Sequence, residues 1–145
     1  LSNQAVTLAE ALEFIKGKVP LYIEVKRGEI TDPVIEELKK YKYSYELGSK
    51  SQKTLRKLHD ALPAVPKIVI EPWSGIRATY RARQIDTKLI AMNQLLLWSG
   101  FIKAMSRHGY KLYAYPLNKP VKARRWEKYG LAGVVTDFPD RFVKL

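Results

Sequence analysis

The feature that most constrains this chain is a rhythm in which short stretches of β character alternate with helical stretches along most of its length. Residues 21–26 alternate strictly, with Leu21, Ile23 and Val25 on one face and Tyr22, Glu24 and Lys26 on the other, as expected of a strand covered on one side. Before it, Thr7 and Glu10 form a capping box, and Leu8, Leu12 and Ile15 recur at helical spacing up to Gly17. After it, Asp32 reads as an N-cap with Pro33 at the first helical position, and Val34, Ile35, Leu38 and Tyr41 form an apolar stripe. Further strands are expected over residues 43–48, 67–71, 88–92, 111–115 and 133–136. Helices are expected through Leu55, Leu58 and Leu62, through Leu95, Trp98, Ile102 and Met105, and over residues 120–129. Residues 77–83 read as basic and weakly helical. Six strands in serial β-then-α order imply parallel pairing with right-handed crossovers, so the fold class is α/β.

Two parallel architectures compete. An open doubly wound sheet normally carries a Gly-rich phosphate loop after its first strand, and neither GxGxxG nor GxxxxGK[ST] occurs. A closed barrel takes about 250 residues and eight strands. The 145 residues are therefore expected to form a single domain over 1–145, an incomplete TIM-type (βα) barrel of about six strands. Open sheet edges are an aggregation hazard, so either a homo-oligomer or an additional N-terminal segment is expected to complete it. The non-Met start fits the second of these.

Composition removes whole classes of function. Without cysteine there are no disulfides, zinc–thiolate sites, iron–sulfur clusters or cysteine nucleophiles. A formal net charge of +12 attracts anions: nucleic acid, phosphorylated metabolites or anionic headgroups. The best apolar run, residues 89–102, is interrupted by Asn93 and Gln94 and does not span a membrane. With no signal peptide either, a cytoplasmic location is expected.

In a barrel, inward residues at the carboxyl ends of strands form the active site. Glu24 and Lys26, two apart on one strand, suit metal ligation by the carboxylate and charge neutralisation of a phosphoryl oxygen by the ammonium. The plainer alternative is the solvated face of an edge strand with an incidental ion pair. Glu71, Asn93 and Tyr115 each end a strand and together outline a rim, although singly each reads as a helix cap, a loop polar group or a partly buried aromatic. The two histidines, His59 beside Leu58 and His108 before Gly109, read as structural or solvated.

Thr7-Leu8-Ala9-Glu10-Ala11-Leu12 leading into Tyr22-Ile23-Glu24-Val25-Lys26, then Tyr113-Ala114-Tyr115-Pro116-Leu117-Asn118, then Gly130-Leu131-Ala132-Gly133-Val134-Val135-Thr136-Asp137-Phe138-Pro139-Asp140, follow one another in order. They resemble the "P-T-L-x-E-x-L", "I-E-[IV]-K", "V-x-W-T-V-N" and "G-V-D-G-I-I-T-D-x-P-D" segments of the glycerophosphodiester phosphodiesterases. That resemblance implies a TIM-type barrel, a divalent cation (Mg²⁺ or Ca²⁺), and hydrolysis of a small anionic glycerophosphodiester to glycerol phosphate and an alcohol, a step in lipid and glycerol metabolism. By the same comparison Glu24 is a metal ligand, Lys26 contacts phosphate, and Tyr115 lies against glycerol where the family has tryptophan. The family's "H-R-G", "E-x-D" and "H-D" motifs do not occur in these 145 residues, which read as catalytically incomplete by themselves.

A basic module for single-stranded nucleic acid or another polyanion is the alternative. Tyr41, Tyr43 and Tyr45 sit among Lys39, Lys40 and Lys42, and Arg77, Tyr80, Arg81 and Arg83 form a second cluster, with Arg124-Arg125-Trp126 a third. No signature motif accompanies them. The basic residues also do not line one amphipathic helix, so the sequence gives little support for a membrane-surface role.

Overall fold

A computed structural model describes residues 5–26 and 30–143. They gather into two compact units, Leu1–Lys67 and Ile68–Leu145.

In the first unit, α1 (Leu8–Ile15) is followed by β1 (Leu21–Val25), α2 (Asp32–Lys40), β2 (Tyr45–Ser49) and α3 (Gln52–Ala61). The capping box forms as the sequence requires: the Thr7 hydroxyl accepts from the Glu10 amide, and the Glu10 carboxylate accepts from the Thr7 amide at 2.8 Å. At α2 the cap differs from expectation. Thr31 is the N-cap and Asp32 the first helical residue, because the Asp32 carboxylate binds Lys57 at 2.8 Å and does not turn back onto the helix. Strands β1 and β2 pair in parallel with Leu21, Ile23 and Val25 opposite Tyr45, Leu47 and Ser49. This face meets the helices, where Ile35, Leu38, Leu47 and Leu58 form a core. Each fully buried leucine contributes roughly 1.5–3 kcal/mol. The other face of the strand pair carries Tyr22 and Glu24 opposite Glu46 and Gly48.

The second unit takes up β3 (Lys67–Glu71) and continues with α4 (Gly75–Arg83), β4 (Leu89–Asn93), a 3₁₀ turn (Gln94–Leu96), α5 (Ser99–Arg107), β5 (Lys111–Tyr115), α6 (Pro120–Glu127), β6 (Leu131–Val134) and a short α7 (Asp140–Val143). Strands β3, β4, β5 and β6 pair in parallel in chain order. The arginine-rich stretch is thus a full helix, α4. The expected stripe of Leu95, Trp98, Ile102 and Met105 is broken. Asn93 accepts a hydrogen bond from the Leu95 amide at 3.0 Å and tightens the chain into a 3₁₀ turn. Helix α5 starts only at Ser99, so Ile102 and Met105 are buried while Leu95 and Trp98 are left in solvent. No described helix is long and apolar enough to cross a membrane.

Candidate active site

On β1, strand alternation puts Glu24 on the face away from the helices, and Lys26 continues that face just past the strand end. Glu24 is half-buried and Lys26 exposed. Opposite Glu24 stands Gly48, over which the Tyr22 ring is laid: a Cβ there would come within 2.2 Å of the Tyr22 hydroxyl oxygen. Glycine thus makes room for an aromatic ring beside the carboxylate. Among the described residues Glu24 has no cationic partner.

In the second unit the face away from the helices is formed by Ile68 and Ile70, Leu89 and Ala91, and Tyr113 and Tyr115. Asn93 and Tyr115 are direct register partners at the carboxyl ends of β4 and β5 and therefore share this face. Tyr115 is half-buried against the apolar cluster, and the side-chain oxygen of Asn93 accepts from the Leu95 amide.

Glu71 does not join them. Its register partner is Met92, so it lies on the helix-facing side of β3, one residue out of phase with Ile68 and Ile70. The carboxylate is 0% exposed, 2.8 Å from Arg77 Nε and 3.0 Å from Arg81, whose guanidinium also donates to the Ile70 carbonyl at 2.9 Å. It also accepts from the Trp73 amide at 3.0 Å, which fixes the loop after β3. A buried carboxylate held by two arginines and a backbone amide is a structural clamp.

Reading strand ends alone missed a second network. Asn118 accepts from the Thr136 hydroxyl at 2.8 Å and the Asp137 amide at 3.0 Å, and donates to the Asp137 carboxylate at 2.9 Å. It ties the loops after β5 and β6 together. The available signal was that both polar segments directly follow neighbouring strands. Gln94 adds another tie, donating to the Pro116 carbonyl at 2.5 Å and accepting from Lys122 at 2.9 Å.

The aromatic and basic clusters are largely occupied inside the units. Tyr45 is buried and donates to the Leu38 carbonyl at 2.9 Å, and the Tyr41 hydroxyl accepts from the Gly17 amide. Arg81 is buried on Glu71, and Trp126 is buried with Lys122 over its ring. None of these four side chains offers a stacking platform. His59 is half-buried on α3, and His108, exposed, caps the end of α5.

The glycerophosphoryl diester phosphodiesterase family profile matches residues 2–141. The chain belongs to that family. It is 23% identical to Bacillus subtilis YhdW, whose name assigns it to the glycerophosphodiester phosphodiesterases; the match takes in 95% of this chain and 60% of YhdW. An Oleispira antarctica phosphodiesterase solved with the product sn-glycerol-3-phosphate superposes with a TM-score of 0.80 at 19% identity, over 94% of this chain and 59% of that one. The Thermotoga maritima glycerophosphodiester phosphodiesterase gives 0.75 at 22% identity, over 96% and 63%. These similarities establish the parallel (βα) barrel fold, represented here by six strands. The chain spans about 60% of the length of such relatives.

The implied divalent cation can be tested against the side chains present. Ca²⁺ takes six to eight oxygens, and Mg²⁺ combines one or two carboxylates with waters and phosphate oxygens. Glu24 can supply one such ligand. Among the described residues no three His, Cys, Asp or Glu side chains come together, so these residues do not by themselves make a cation site.

Proposed function

We propose that this chain is the portion of a glycerophosphodiester phosphodiesterase that contributes Glu24, Lys26, Asn93 and Tyr115 to the hydrolysis of a small anionic phosphodiester into glycerol phosphate and an alcohol. The observation carrying this reading is the family match across residues 2–141 together with a half-buried glutamate on the open face of β1 that has no protein cation opposite it among the described residues. Lys26 neutralises charge on a phosphoryl oxygen, an interaction worth most where charge accumulates during displacement. Glu24 provides one ligand for Mg²⁺ or Ca²⁺, with the other protein ligands drawn from the part of the family fold outside the shared span. Tyr115 offers an apolar ring to the glycerol moiety, and Asn93 stands opposite it in register. Glu71 supports the loop after β3 and is not assigned to substrate.

The test is release of glycerol phosphate from a glycerophosphodiester with added Mg²⁺ or Ca²⁺, using the natural polypeptide with whatever sequence flanks these residues. Glu24→Ala and Lys26→Ala are each expected to lower the rate about 100-fold or more. Unchanged turnover in both variants refutes the assigned site.

A further inference from the structure

The strongest unexplained feature is a set of large apolar side chains standing in solvent at one end of the second unit. Trp73 is 73% exposed and Ile76 85%, both in the loop and first turn after β3; Leu95 is 83% and Trp98 62% exposed, both between β4 and α5. The two segments touch. Phe101 lies against Gly75, where an added Cβ would meet its ring at 2.7 Å, and Trp98 packs on Phe101 with ring centroids 5.3 Å apart. Both segments follow the carboxyl ends of adjacent parallel strands, so they share one rim. Isolated apolar side chains on a surface need no explanation, whereas a contiguous group with two tryptophans marks a contact surface.

Charge selects the occupant. Between Pro72 and Trp126 the only acidic residue is Asp86, which lies in the turn leading into β4, at the opposite end of that strand from the rim. On the rim Lys119 and Lys122 follow β5, with Lys122 bound to Gln94, the neighbour of Leu95, while Arg77 beside Ile76 is paired with the buried Glu71. Exposed tryptophan and leucine flanked by Lys119 and Lys122, with the acid of the next connection, Asp137, held by Asn118, match a surface with an apolar interior and an anionic face. We infer that this rim docks onto an anionic phospholipid bilayer, with Trp73, Ile76, Leu95 and Trp98 entering the headgroup region. The sequence offered no basic amphipathic helix for this purpose; the fold assembles the surface from two loops. Docking does not depend on the catalytic assignment.

The tryptophans provide the readout, since Trp126, the third of three, is 7% exposed and serves as a silent reference. Vesicles of phosphatidylglycerol mixed with phosphatidylcholine are expected to sediment the protein and shift its tryptophan emission to shorter wavelength, while pure phosphatidylcholine vesicles do so weakly. The double variant Ile76→Glu/Leu95→Glu changes only exposed positions, and circular dichroism checks that it folds. It is expected to weaken partitioning at least about tenfold. Undiminished binding of this variant overturns the proposal, as does binding without an emission shift or no binding at low salt. A dimer that the same substitutions dissolve would assign the surface to a second copy of the chain instead, and also overturns it.

Discussion

Strands β1 and β3 each bring a glutamate to their carboxyl end, and the fold puts the two to opposite uses. Glu24 lies on the face away from the helices, half-buried and without a protein cation among the described residues. Glu71 lies on the helix side, fully buried between Arg77 and Arg81. The residue type and the position at a strand end are the same; the parity along the strand is different. A side chain changes faces with every residue of a strand, so a single position separates a group available to a ligand from one that holds the scaffold.

The comparison can be broken most forcefully at Glu71. Glu71→Ala removes the buried carboxylate to which Arg77 and Arg81 bind, and a loss of about 3–5 kcal/mol in unfolding free energy is expected in a urea titration. Arg77, half in solvent, adds little to this. A loss below 1 kcal/mol would show that the carboxylate is not a clamp.

At Glu24 the same chemistry should give the reverse pattern. Glu24→Gln is expected to keep stability within about 0.5 kcal/mol, as surface substitutions usually do, while turnover in the natural polypeptide falls about 100-fold. If Glu24→Gln unfolds the chain, the two glutamates are not different in kind.

A third test addresses the second network. Asn118→Ala removes hydrogen bonds between the loops after β5 and β6 and is expected to cost about 1–2 kcal/mol, with faster amide hydrogen exchange at Asp137. The Asp137 amide, which donates to Asn118, is the specific reporter.

The smallest expected effect belongs to Tyr45. Tyr45→Phe costs about 1 kcal/mol by removing the buried hydroxyl that donates to the Leu38 carbonyl, which keeps only the Tyr41 amide at 3.3 Å. Burial raises the phenol above its ordinary 10.0. The native state therefore retains this proton more tightly than the unfolded chain does. The stabilisation is fully present below about pH 10 and is lost as pH rises from there toward the higher native value. Comparing the stability of Tyr45→Phe with that of the parent between pH 9 and 11, taken as approximate limits around the ordinary phenol value, should show the parent's advantage shrinking.

Much of the fold was legible because its signals are local. The Thr7–Glu10 box and the limits of β3 and β5 follow from capping chemistry and alternation. The Glu24 and Lys26 face was legible for the same reason. Leu95 and Trp98 were not, because their spacing fits a helix and periodicity does not register the side chain of Asn93 pulling the chain into a tighter turn. Glu71 was misplaced by reading strand ends without counting parity from Ile68 and Ile70. The Arg81 partnership was masked because an arginine among arginines resembles a polyanion-binding cluster until its buried acid, ten residues earlier, is seen. Asp32 likewise has a partner, Lys57, that lies far along the chain.

Gln94 takes on added meaning in this light. By gripping the Pro116 backbone on one side and the Lys122 ammonium on the other, it fastens the connection after β4 to the connection after β5 and to helix α6. A shift of either connection must therefore stretch or break these bonds to the other. The tie sits one residue beyond Asn93 and one beyond Tyr115, so it also braces the ends of the two strands that carry this register pair.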